Sequence, residues 1–396
     1  MKPTKIILPI IVISQFCCTS LWFAGNGVMS DLILNFHLDG SALGHLTSAV
    51  QFGFILGTLI FALFSIADRF SPSKVFFVCA VLGALFNVGM IREGNGLASI
   101  LALRFMTGFF LAGIYPVGMK IAADYYDKGL GKSLGFLVGA LVVGTAFPHL
   151  AKDLTHTFPW QSVMVLTSLL ALLGGSAMLV LVPDGPYRRQ GKKLDFSASF
   201  SVFRNREFRA AAFGYFGHMW ELYAFWAFVP IILKTYSIEH PTSGFNIPLW
   251  SFVIIGAGGV ACVLGGYLAR SFGTKRIAVA ALFMSGVCCL VSPFVFSTDF
   301  ESLFIGFLLF WGMVVIADSP LFSTLVAQNA TAEIKATALT IVNCIGFSLT
   351  IMSIQLLSVM KATINPTYIY TLLALGPILG LLSLMGKRSA IGARVS

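Results

Sequence analysis

The chain alternates long apolar runs with short polar turns, and the runs have the length of membrane crossings. Stretches of about 20 mostly apolar residues, enough to span a hydrocarbon layer of ~30 Å, fall near 7–28, 44–66, 75–91, 97–121, 132–151 and 160–182. They recur near 210–233, 248–269, 277–297, 302–326, 335–360 and 367–386. The pattern predicts an all-α integral membrane protein of twelve transmembrane helices. An N-terminal six-helix bundle over 1–182 is joined by a cytoplasmic linker, 183–209, to a C-terminal six-helix bundle over 210–396.

The halves echo one another. Phe64-Ser-Ile-Ala-Asp68-Arg69-Phe-Ser71-Pro72-Ser-Lys74 lies between the second and third runs, and Gly266-Tyr-Leu-Ala-Arg270-Ser-Phe-Gly273-Thr-Lys275-Arg276 takes the same place roughly 200 residues later. Gly108 with Pro116 matches Gly312 with Pro320, and Lys132-Ser-Leu matches Lys335-Ala-Thr, at nearly the same offset. Repetition at half the chain length marks two bundles of one design.

Composition agrees, with 57% hydrophobic and 11% charged residues against roughly 45–50% and 25% in soluble domains. The net charge of +10 would suggest nucleic acid in a soluble protein, but here it follows topology. Arg69, Lys74, Lys120, Arg188, Arg189, Lys192, Lys193, Arg270, Lys275 and Arg276 share one side, whereas the other holds only Arg92, Lys152, Lys234 and Lys361. The positive-inside rule then places both termini in the cytoplasm of a multi-pass cell-membrane protein, the inner membrane if bacterial. Met1 to Lys5 is a basic start without a clear cleavage site after it, so the first apolar run reads as the first helix. All seven cysteines fall in predicted helices, which indicates neither a disulfide framework nor a metal site.

Enzymatic and pump chemistries lack their motifs. Gly131-Lys-Ser133-Leu-Gly135 spells a hydrolase elbow but opens a membrane helix instead of following a strand. Neither a His-Glu-x-x-His pair nor a phosphate-binding loop is present. The reading is of a non-enzyme without cofactor or metal, driven by an ion or solute gradient, with no nucleic acid among its partners.

Ionisable groups at membrane depth cost at least ~2.5–3.5 kcal/mol on insertion scales and by default serve function. Glu221 in the seventh run lies three residues from His218, on a shared helical face; the two form a candidate proton-coupling site or a structural pair. Asp318, two residues before Pro320, is a second proton site or a gate ligand. Arg104 holds an anionic substrate, tunes a carboxyl or bonds between helices. Gln15, Thr19, Trp22 and Asn26 recur as a polar stripe on the first helix, with Gln51 a lone amide on the second. With Tyr115, Tyr223 and Trp226 they fit hydrogen bonding and stacking to a small organic solute, or act as glue between helices. Gly53-x-x-x-Gly57 and Gly135-x-x-x-Gly139 suit close helix approach.

Twelve helices in two halves, the Gly-x-Leu-Ala-x-x-x-Gly-x-Lys-Arg turn, Asp68-Arg69 with Lys74, and Arg104-x-x-x-Gly108 together resemble the major facilitator superfamily of secondary transporters. Phe64 and Ser71-Pro72 depart from the usual first-half turn, and Arg270 stands where the second copy would carry Asp. The resemblance implies the major facilitator fold and alternating access, in a monomer surrounded by membrane lipids that moves a small-molecule substrate with protons or another counter-ion. It implies that helices 1, 4, 7 and 10 line a central cavity and that Asp68 and Arg69 belong to a cytoplasmic gate, with Arg270 their counterpart or a topological anchor. Gly144-x-x-x-Pro148 is near an antiporter pattern, which keeps multidrug or metabolite efflux open beside uptake. A lipid flippase and a non-transporting sensor are the rival readings.

Overall fold

In a computed structural model the described residues are 6–126, 130–188, 202–331 and 334–385. Among them are eleven helices long and apolar enough to cross a membrane, and the shorter apolar helix Ile7–Thr19. In chain order, α1 is broken into Ile7–Thr19, Ala24–Gly27 and Met29–Asn35, followed by α2 Ala42–Leu63, α3 Pro72–Ile91 and α4 Leu97–Tyr125. Next come α5 Leu130–Leu154, α6 Gln161–Leu181, α7 Arg206–Glu239 and α8 Ile247–Phe272. The series ends with α9 Thr274–Phe296, α10 Glu301–Gln328, α11 Lys335–Met360 and α12 Pro366–Met385. The face at which α1 begins and α12 ends is proximal; the opposite face is distal. Residues 189–201 of the linker, with Arg189, Lys192 and Lys193, and Lys132 of the repeat lie outside the residues whose side chains are described.

Local chemistry sets the helix ends. Asn205 accepts from the amides of Glu207 and Phe208 at 2.9 and 3.3 Å and starts α7; Asn246 accepts from Leu249 N at 3.1 Å and starts α8. The two repeated turns are built differently. α8 runs to Phe272 and reverses at Gly273, whose φ of +92° favours glycine. The first half has Ser71 at that position; there α2 stops at Leu63, Ser65 takes a left-handed conformation, and the one-turn helix Ile66–Arg69 leads to α3.

α4 and α10 break at equivalent places. A turn at 112–114 precedes Tyr115-Pro116, and Asp318 precedes Ser319-Pro320. In both, proline falls in the first turn of the following segment, where its missing N–H costs nothing. α1 differs from expectation: it continues past 28 to Asn35 and unwinds at 20–23, so its four polar residues do not share one continuous face. α7 likewise exceeds the expected 210–233 at both ends.

Glycines set the closest approaches. A Cβ on Gly53 would stand 2.0 Å from the carbonyl oxygen of Phe105, and one on Gly108 2.0 Å from that of Val50, so α2 and α4 meet backbone to backbone. Gly312 meets the Ile254 carbonyl in the same way, which repeats the contact between α10 and α8. Across the halves, α5 packs on α8 and α2 on α11, with Gly139 against Gly259 at the first crossing. Gly135 faces open space, with nothing within 4 Å of its missing Cβ. Gly135→Ala is therefore expected to leave the unfolding free energy within about 0.5 kcal/mol of the parent. Gly53→Ala should lower it by about 1–3 kcal/mol through overpacking; equal unfolding curves in denaturant would remove the distinction.

Candidate functional site

The interface between the halves is layered. On the proximal side a cleft of about 210 Å³ opens between α5, α8 and α10, lined by Gly135, Cys262, Gly266, Arg270 and Pro320 among others. Cys262 carries the cleft inward, within electrostatic reach of Asp318 and Tyr115. There His218 Nδ1 lies 2.8 Å from Asp318 Oδ1, each side chain only 1% exposed. The break in α10 places this pair, because Asp318 ends the first segment and its side chain turns to α7 instead of capping the second. Asp318 Oδ2 and His218 Nε2 have no protein partner. The hydroxyls of Tyr115, Tyr215 and Tyr223 lie within electrostatic reach of one another; the Tyr215 ring lies 6.0 Å from that of His218, and its hydroxyl donates to Asn343 Oδ1 at 2.6 Å.

Above this polar layer sits an aromatic plug contributed by both halves. Trp22 stacks on Tyr223 and on Phe347, each at 5.8 Å between centroids, and packs on Phe54 at 4.8 Å. Phe23 and Tyr223 meet Trp226 edge-on. Every ring of the plug is buried, so Trp22, Tyr223 and Trp226 fill the centre in this conformation instead of lining open space. The indole N–H groups of Trp22 and Trp226 and the amides of Gln15 and Gln51 have no protein partner.

The distal side is closed by contacts between the halves. Gln355 on α11 donates to Ser48 on α2 at 2.9 Å, and Asn246 at the start of α8 donates to Asp153 at the end of α5. Asn246 both caps its helix and holds Asp153, and an aspartate would keep only the first task. Asn246→Asp should leave α8 intact and raise distal accessibility about 2–5-fold, the effect of ~0.5–1 kcal/mol between like surface charges. Unchanged labelling of a distal cysteine probe would show that this contact does not hold the face shut.

Two sequence expectations of pairing are corrected. His218 is not the partner of Glu221. Glu221 Oε1 accepts from Trp311 Nε1 at 2.6 Å and Oε2 from Ser285 Oγ at 2.9 Å, which seats the carboxylate between α7, α9 and α10; the two residues diverge because the break at Asp318 offers the imidazole a nearer carboxylate. The polar stripe on α1 is dispersed by the unwound turn. Gln15 presses on Gly118, Thr19 donates to the Gln15 carbonyl at 2.8 Å and packs on Gly144, Trp22 enters the plug, and Asn26 donates to Thr47 at 2.9 Å.

Arg104 explains how α1 tolerates that turn. Its guanidinium donates to the carbonyls of Leu21 at 3.2 Å and of Trp22; unwinding leaves Leu21 only a long 3.5 Å bond from the Ala24 amide and Trp22 no i+4 partner. At the proximal rim, Asp68 pairs with Lys120 of its own half at 2.8 Å. Arg270 lies over the Tyr267 ring at 5.7 Å, and neither it nor Arg69 pairs with a carboxylate among the described residues. The gate residues thus do not bridge the halves in this conformation, which is open proximally and closed distally.

Sequence reasoning did not mark Phe54, Phe347, Tyr215 or Trp311. One Phe among 37 carries no local signal, and only the crossing of the two halves brings Phe54 against Phe347, while Tyr215 and Trp311 find their partners within the second half.

The family model described as Major Facilitator Superfamily matches residues 11–354. The chain belongs to the major facilitator superfamily. The transport fold is thus that of the family, and enzymatic catalysis is not its business. The 4-hydroxybenzoate transporter PcaK of Pseudomonas aeruginosa is 27% identical over 175 residues, 43% of this chain and 35% of that protein. The efflux pump FUB11 of Gibberella moniliformis is 25% identical over 184 residues, 45% of this chain and 30% of that one. The matches thus span about a third of the length of each of these curated relatives. A solved D-xylose-proton symporter superposes with a TM-score of 0.77 over 96% of this chain and 95% of that chain, at 15% identity, a likeness of fold.

Proposed function

We propose that this member of the superfamily is a proton-coupled carrier of a small organic solute, working by alternating access between its two six-helix halves. The observation that carries the proton is the His218–Asp318 contact, two titratable groups fully buried at a helix break beside the proximal cleft. The proximal face is the cytoplasmic one on the distribution of basic residues, so this conformation is inward-open. The plug of Trp22, Tyr223 and Phe347 is the septum that must part for solute to cross. Asp68, Arg69 and Arg270 then approach across the proximal rim when the distal contacts release. Glu221, with both oxygens engaged away from the cleft, holds α7, α9 and α10 together.

The reading is tested in proteoliposomes with a pH step, screened with labelled organic solutes including 4-hydroxybenzoate, named for the relative PcaK. Solute movement that follows the sign of the pH step supports it; movement indifferent to that step removes the proton from the mechanism. Flux of a lipid reporter in place of a solute would favour a flippase.

A further inference from the structure

The charge balance of the core restricts what it can carry. Arg104 is the one arginine or lysine buried among the described residues. Its two terminal nitrogens are committed to the Leu21 and Trp22 carbonyls, and its Nε, which has no protein partner, is buried beside Gly25. An anion entering the central layer meets that charge only by drawing the guanidinium off the two carbonyls of the unwound turn or by reaching the buried Nε, while the loss of its hydration costs many times a hydrogen bond.

Acceptors and aromatic faces are in supply instead. Asp318 Oδ2 is buried and without a partner, two residues from Pro320, which lines the cleft. A carboxylate oxygen so placed accepts a charge-assisted hydrogen bond from an ammonium. Beyond it stand Tyr223 and Trp22, rings nearly parallel to within 28°. An indole face is the best aromatic partner for a cation, and a flat ring takes the place of either ring against the other once the plug parts. The free amides of Gln15 and Gln51 serve any further polar substituent.

We propose that the cargo is an aromatic organic cation, an ammonium-bearing ring system, bound with its charge toward Asp318 and its ring against Trp22 and Tyr223, and that carboxylates are excluded. This rests on the core being the transport site, and it is tested by binding alone. Three probes share one ring and differ in charge: 1-naphthylmethylammonium, 1-naphthalenemethanol and 1-naphthoate. Equilibrium titrations with the full-length protein in detergent, followed by tryptophan fluorescence and thermal unfolding, should give the ammonium at least a tenfold lower Kd than the naphthoate, with the alcohol between. Asp318→Asn should bring the ammonium to the level of the alcohol, and Asp318→Glu should keep the preference. Naphthoate binding as well as the ammonium, binding of none of the three, or an ammonium preference that survives Asp318→Asn overturns the proposal. If the asparagine variant does not fold, the order of the three probes on the parent protein decides alone. Because no gradient is imposed, failure of proton-driven flux would remove the coupling mechanism without altering this order.

Discussion

His218→Gln is expected to collapse a solute gradient of about tenfold to a ratio near one in vesicles held at a pH step of one unit. The tenfold figure is the free energy of one proton crossing that step, about 1.4 kcal/mol, transferred to one solute molecule in an electroneutral cycle. Coupling requires a group that binds and releases the proton as access alternates, and a glutamine does neither, although it still fills the space and donates to Asp318. The imidazole contacts Asp318 at 2.8 Å within a wholly buried layer, and the other buried carboxyl on α7 is Glu221, which faces elsewhere. The ratio of labelled solute inside to outside at steady state is the measurement. A variant that still reaches tenfold would move the proton away from this pair.

The second large effect concerns Glu221 and is one of stability. Glu221→Ala leaves the Trp311 indole without its acceptor in the interior of the second bundle, turns the Ser285 hydroxyl back on the Leu282 carbonyl, and opens a void at the meeting of α7, α9 and α10. Orphaned buried donors cost about 1–3 kcal/mol each, tempered in membranes where measured interhelical bonds average nearer ~0.6 kcal/mol. A loss of about 2–4 kcal/mol is expected. Glu221→Gln should lose under ~1 kcal/mol, because its carbonyl still accepts from Trp311. Ser285, which also donates to the Leu282 carbonyl at 3.1 Å, can accept from the new amide. Thermal unfolding of the two variants in one detergent gives the comparison. If instead Glu221→Gln unfolds normally and abolishes pH-driven accumulation, Glu221 carries the proton and the assignment to His218 falls.

Much of the architecture was legible in the linear chain because the constraint that shapes it is local. Each crossing must satisfy its own backbone inside hydrocarbon, so apolar length alone located the helices, and positive charges between them ordered the sides. The breaks in α4 and α10 were legible too, as Tyr115-Pro116 and the proline after Asp318. The turn in α1 was not: no proline or glycine stands at 20–23, and the conformation depends on Arg104, more than eighty residues away, reaching the freed carbonyls. The offset of the two loop motifs announced a repeat, yet only the fold showed that one copy turns on Gly273 and the other on left-handed Ser65.

The site divides along the same line. By itself the sequence determined which side chains are expensive to bury: Glu221, His218, Asp318, Arg104, the amides and the indoles, each identifiable from its own chemistry and depth. Only the tertiary structure decided how they pair, because partnership is a matter of which helices cross and at what height. His218 and Glu221 are three residues apart and part company; His218 and Asp318 are a hundred apart and touch. The same crossing spends Arg104 on a broken helix, leaves one oxygen of Asp318 buried without a partner, and turns scattered aromatics into the septum between the two faces.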